Sequence, residues 1–125
     1  MATAIGSLYT PFVENQIIGP QIDFDTDTIK VMLVTSTYVF DGKQECRSSI
    51  TNETSGDNYV AGGQVIANVI ISTLSNTTNV FGDDSSWALT GGSPFTFRSA
   101  VVYKDTGNPA TDLLISYHDF GVDID

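Results

Sequence analysis

One imidazole, His118, one thiol, Cys46, and fifteen carboxylates are the side chains of this chain suited to acid–base or nucleophilic chemistry. His118 lies in Ile115-Ser116-Tyr117-His118-Asp119-Phe120, near the end of a strand-like run, and no sequence motif marks a Ser or Cys nucleophile as its partner. It reads as a structural or surface histidine. Cys46 precedes Arg47, a cation that favours the thiolate, and a Cys can pair with a His as a nucleophile. Neither residue sits in the signature of a thiol enzyme. With a single cysteine no intramolecular disulfide can form, and zinc would need more His and Cys than the chain has.

Paired carboxylates drive glycoside hydrolysis when their separation suits direct attack or an intervening water, but with this many acids pairs arise by chance. Asp23, Asp25 and Asp27 stand at alternate positions, like the start of a calcium loop. An EF-hand is excluded, because the sixth position is Thr28 rather than Gly and the twelfth is Val34 rather than a bidentate Glu. A different calcium site, built from these acids or from Asp83 and Asp84, stays open beside the plainer reading of Asx turns at a strand entrance. Gly62-Gly63 lacks the following Lys-Ser/Thr of a phosphate loop. The sequence therefore assigns no catalytic, cofactor-binding or metal-ligating residue, and the expectation is a protein that is not an enzyme. Exposed Trp and Tyr can stack on sugars; here the aromatics, Trp87 and Tyr59 among them, are spread along the chain and read mainly as core or subunit interface.

Fifteen acids against five bases give a formal charge of -10, which repels phosphate backbones and anionic head groups. Nucleic acid and membrane surfaces are thus poor partners, whereas a positive protein patch is a good one. Residues 1–10 lack a basic and then apolar leader pattern, and no run of about 18 apolar residues could span a membrane. A soluble chain made in the cytoplasm is expected. Asn52-Glu53-Thr54 and Asn76-Thr77-Thr78, which match the glycosylation acceptor pattern, are then ordinary polar turns.

The elements that must position these residues are mostly strands. Length predicts one domain, with residues 1–19 as an arm and short helix and 20–125 as a β body. Thr10 as cap, Pro11 in the first turn and Gly19 after the end predict a helix over 11–18, with an arm over 1–9 before it. Phe12, Val13, Ile17 and Ile18 would give that helix an apolar side to lay on a sheet or a neighbouring subunit. Ile29 to Val34, apolar on both faces, predicts a doubly covered strand at the centre of the core. Further strands are predicted over 64–73, 95–103 and 113–120, with a short segment around Trp87 and Leu89 as another candidate. Asp105-Thr106-Gly107-Asn108-Pro109 predicts an antiparallel hairpin pairing 101–104 with 113–117. Gly62-Gly63, Gly82-Asp83-Asp84 and Gly91-Gly92-Ser93-Pro94 punctuate the rest, so the fold class expected is all-β: an antiparallel, jelly-roll-like sandwich or open barrel.

Three stretches carry a resemblance. Asp23-Phe24-Asp25-Thr26-Asp27-Thr28 running into Ile29–Val34, then Glu53 to Gly63 with its Tyr-x-x-Gly-Gly ending, then Ala100 to Gly107 with Leu113 to Gly121 and its Tyr-x-Asp-Phe ending, occur in an order that resembles a family of small phage virion proteins encoded among head and tail genes. The likeness covers most of the chain from about Leu8 onward and is weaker over 38–50 and 76–93. It implies association with the virion and carries no catalytic residues. The expectation that follows is a decoration or cement protein on the outer capsid surface, a homo-oligomer, preferably a trimer, whose partner is the major capsid protein. The arm and helix would reach across the interface. The alternative is a tail or head-fibre module that binds a host-surface glycan through loops carrying Trp87 or Tyr59.

Overall fold

The computed structural model describes residues 5–19, 21–74, 77–83, 85–87 and 95–124. Its strands are β1 (Ile5–Leu8), β2 (Ile29–Val34), β3 (Gln64–Val65), β4 (Ile70–Leu74), β5 (Thr77–Phe81), β6 (Phe97–Lys104) and β7 (Leu114–Ile124), with one α-helix, α1 (Thr10–Ile18). Five strands form an antiparallel sheet in the order β1-β7-β6-β2-β3, and β4 and β5 form a separate antiparallel hairpin. The architecture is all-β and antiparallel with one short helix, as the alternating runs and turn residues predict.

β2 is buried on both faces, as a run of Ile, Val, Met and Leu must be. It is not the middle strand: β6 is, flanked by β7 and β2, while the other neighbour of β2 is the two-residue β3. On one face Met32, Val34, Val101, Tyr103 and Leu114 gather around Tyr9 and Tyr38, closed by Phe40 stacked on Tyr117 at 4.8 Å. On the other, Val31, Leu33 and Ala100 meet Tyr59 and Phe95, and Ile29 and Ile115 meet Ile22. Loops and the helix, rather than a full second sheet, supply these covers.

The closing hairpin forms where predicted, with Val101 opposite Tyr117 and Val102 opposite Ser116. Its loop is built from side-chain turns: Asp105 Oδ1 accepts from Gly107 N–H at 3.0 Å and Asn108 Oδ1 from Ala110 N–H at 3.0 Å.

Three expectations are corrected. Residues 5–8 of the expected arm are edge strand β1, in register with β7 from Ile5↔Asp119 to Leu8↔Ser116, and Tyr9 is wholly buried. The ladder continues through Tyr9 N–H to Ile115 O at 3.1 Å, and the Tyr9 hydroxyl meets that of Tyr38 at 2.9 Å. Residues 1–4 of that arm lie outside the described residues. The helix follows prediction in length, but Tyr9 occupies the cap position and the Thr10 hydroxyl donates instead to Gly42 O. Of its apolar side chains only Phe12 turns inward, against Phe24; Ile17 and Ile18 are 79% and 76% exposed. Finally, the predicted strand 64–73 is broken: Asn68 takes a left-handed φ of 55°, which Asn tolerates, and the chain leaves the sheet before resuming as β4. The turn at 91–94, Leu89 and Asn76 lie outside the described residues; Trp87 is in no strand.

Candidate functional site

Period-two geometry puts Ser116 and His118 on the same face of β7, and Ser116 Oγ lies 2.9 Å from His118 Nε2. Both line an apolar groove of about 480 Å³ with Leu8, Phe12, Phe24 and Ile29 among its walls. Burial holds the imidazole below its ordinary pKa and so favours the neutral ring, whose tautomer decides whether Nε2 donates to or accepts from the Ser116 hydroxyl. Across the ladder Gly6 leaves room for the ring: a Cβ there would stand 3.2 Å from Nδ1. The pairing was visible in principle, since i and i+2 share a strand face, although no motif marks it.

A hydrolytic site needs more. Among the described residues no carboxylate orients the His118 ring, because Asp119 points to the opposite face and takes Arg98 Nε at 3.3 Å and Gly121 N–H at 2.8 Å. The backbone of this stretch is held in the β6 and β1 ladders, so among the described residues no pair of N–H donors converges on Ser116 as an oxyanion hole would require. The geometry supplies a hydrogen-bonded Ser–His pair in an apolar wall.

Cys46 departs from the sequence reading. Its pKa is raised, by burial first and then by Glu45 and Asp112, while Arg47 turns its Nε to Asp112 at 2.9 Å. No hydrogen bond links Cys46 to His118, and the two do not form a nucleophilic pair.

The acids are engaged in turns and ion pairs. Asp23 N–H donates to Asp27 Oδ2 at 2.8 Å, Asp25 N–H to Asp23 Oδ1 at 2.9 Å, and Lys104 Nζ lies 3.1 Å from Asp27 Oδ2. The Asp23 N–H bond first, against some desolvation, and then Lys104 hold the Asp27 carboxyl below its ordinary value. Asp83 receives Asn68 Nδ2 at 2.6 Å and closes the neck of the β4–β5 hairpin; Asp84 lies outside the described residues. Among the described residues no group of three or more His, Cys, Asp or Glu side chains gathers as a metal site.

Tyr59 is a core residue. Its hydroxyl accepts Leu33 N–H at 3.0 Å and donates to Glu53, whose Oε2 also takes Gly62 N–H at 2.6 Å. Tyr103 donates to Gly62 O, so the Tyr-x-x-Gly-Gly stretch is a clamp on β2 and β6 and offers no aromatic platform to a ligand. Trp87 stacks on Tyr59 at 6.1 Å and lines a second groove, about 420 Å³, with Asp83, Ser85 and Ser86 beside it and Leu33 and Phe95 beneath.

Charge is the dominant surface property. Four of the five bases are bound in intramolecular ion pairs: Lys30–Asp105, Arg47–Asp112, Arg98–Asp119 and Lys104–Asp27. Only Lys43 makes no ion pair among the described residues. The field outside the molecule is accordingly that of its unpaired acids. Among the described residues no helix is long and apolar enough to cross a membrane. Comparison with known proteins finds no matching family model, no matching curated protein and no matching solved structure.

Proposed function

We propose that this chain is a non-enzymatic structural protein of a phage virion, acting as a decoration or cement protein on the outer capsid surface with the major capsid protein as partner. The observation that carries this reading is the charge arrangement: a formal charge of -10 whose few cations are almost all consumed internally, leaving an acidic exterior that complements a basic protein patch and disfavours nucleic acid. The ordered likeness to small virion proteins supports it. The turning of Asp119 away from His118 toward Arg98 and Gly121, and the engagement of the neighbouring strands in the β1 and β6 ladders, support a structural role over hydrolysis.

Quantitative mass spectrometry of purified virions tests the proposal. A copy number comparable with that of the major capsid protein, together with binding to empty capsids that weakens as salt is raised, is expected. A handful of copies per particle, or none, overturns it.

A second reading draws on Trp87, whose indole borders a groove edged by Asp83, Ser85 and Ser86, a combination of aromatic face and hydroxyl or carboxylate acceptors that suits a sugar. A tail or head-fibre module binding a host glycan would lose array binding on Trp87→Ala. Silence of the wild-type protein across a broad array removes this reading.

A further inference from the structure

Exposed apolar side chains are segregated from charge along this chain. Of the eleven large ones exposed among the described residues, four lie within residues 1–22 and five within 58–82; only Val39 and Val122 lie elsewhere. Those two stretches hold one charged residue between them, Glu14, while the remainder holds fourteen acids and five bases.

The fold brings parts of the two stretches together. Leu8 on β1 and Val80 on β5, 54% and 50% exposed, border the same 480 Å³ groove, in which Ile29 and Ile115 are buried. The β4–β5 hairpin is tied to the body at its base, where Ile66 and Val69 pack against the Ile22, Ile29 and Ile115 cluster. Beyond that base Ile71, the cross-strand partner of Val80 and on its face, is about half exposed, as is Ile70 on the other face of the hairpin. Neither the outer edge of β1 nor either outer edge of the hairpin is paired with a strand among the described residues. An uncharged, unpaired edge is an open template for another chain, and a two-stranded hairpin is marginal in water without further packing.

We propose that this neutral face, formed by β1, the β4–β5 hairpin and the groove between them, is where a second copy of the chain docks. Charge selects the occupant. A cationic partner is drawn to the acidic remainder of the surface and gains no electrostatic advantage here. A second copy, itself at -10, is repelled by that remainder and can approach closely only where charge is absent, and it brings the same uncharged edges and apolar side chains to the contact. This inference is independent of the capsid proposal.

Sedimentation velocity of the full chain tests it. Self-association is expected, and it should tighten as salt rises, because screening relieves repulsion between like-charged copies while apolar burial persists. Val80→Thr and Ile71→Thr, cross-strand partners on the groove face that retain β-branching and strand propensity, should each weaken association by about tenfold. Val122→Asp, at an exposed apolar position outside the two stretches, should leave it unchanged. Circular dichroism of each variant checks that the fold is kept. A wild-type monomer at every concentration and salt level, association that salt weakens, or Val80→Thr and Ile71→Thr variants that keep wild-type association overturns the inference. A monomer that still decorates capsids would overturn it and leave the capsid reading standing, whereas an oligomer absent from virions would do the reverse.

Discussion

Arg47 Nε donates to Asp112 Oδ2 at 2.9 Å across 65 residues of chain, and the Asp112 side chain is completely shielded from water. The same carboxylate accepts the N–H and hydroxyl of Thr106, each at 2.7 Å, and the guanidinium lies 5.3 Å from the centre of the Tyr103 ring. One acid thus ties the Cys46–Ile50 turn to the loop of the β6–β7 hairpin. Removing it leaves a cation and a backbone donor without their acceptor, so Asp112→Ala should cost about 3–5 kcal/mol in urea unfolding. Arg47→Met combined with Asp112→Ala should cost less than the sum of the single changes.

Asp112 also sets an acid limit. Burial raises its pKa, but the Thr106 N–H, Arg47 and the Thr106 hydroxyl outweigh that and hold it below the ordinary value. A carboxyl depressed in the folded state stabilises above its unfolded pKa of about 3.9 and loses that contribution as pH falls through the folded value. The wild-type unfolding midpoint should therefore fall below about pH 4, and Asp112→Asn should flatten that part of the profile.

Gly63 and Gly107 both have positive φ, 78° and 88°, but differ in surroundings. A Cβ on Gly63 would lie 1.8 Å from Val31 O, inside the β2 backbone, whereas one on Gly107 would meet nothing within 4 Å. Gly107→Ala should cost only the backbone preference, about 1 kcal/mol. Gly63→Ala adds displacement of β2 from β3 and should cost about 3 kcal/mol or more, read as a shift in thermal midpoint.

These positions show which parts of the fold were legible in the sequence. Gly62-Gly63 and Asp105 to Pro109 are local turn chemistry beside strong strand runs, and both turns and the β6–β7 hairpin follow from them. The break at Asn68 is hidden in the sequence because Gln64 to Thr73 is a run rich in Val and Ile with no Gly or Pro to punctuate it, and only the β2 ladder, ending at β3, reveals where the chain departs. In the sequence β1 has the look of an arm because four residues including Gly6 and Ser7 are too short to display a period. The Ser116–His118 contact was readable as a same-face pair, but the turning of Arg47 toward Asp112, which removes any activation of Cys46, depends on residues distant in sequence.

His118 gives a separate, milder pH dependence. Burial lowers its pKa from the unfolded value of about 6.5, so the unfolded chain binds the proton more readily and stability is lost as pH falls below about 6.5. Proton NMR titration should place the imidazole midpoint below that of a model histidine. His118→Gln should remove the slope of unfolding free energy between pH 7 and about 5 that precedes carboxylate titration. An unshifted midpoint contradicts the burial argument.

Tyr59 supplies a hydrogen-bond acceptor that the sheet lacks: β3 pairs with β2 only at Lys30 and Val31, and the Tyr59 hydroxyl takes the Leu33 N–H beyond it. Tyr59→Phe keeps the ring stack on Trp87 but leaves that buried N–H unsatisfied and deprives Glu53 of a donor, at an expected cost of about 1–3 kcal/mol. Burial first, then the bond to Glu53, raises the Tyr59 pKa, and burial likewise raises Tyr9 and pushes Tyr103 up to about 12. A phenol whose folded pKa is raised contributes stability below its unfolded value of about 10 and loses it as pH rises further. Ultraviolet titration of the native protein should therefore leave these phenols protonated well past pH 10 and ionise them together as the sheet unfolds. In Tyr59→Phe that alkaline transition should move to lower pH, since the remaining sheet starts from lower stability.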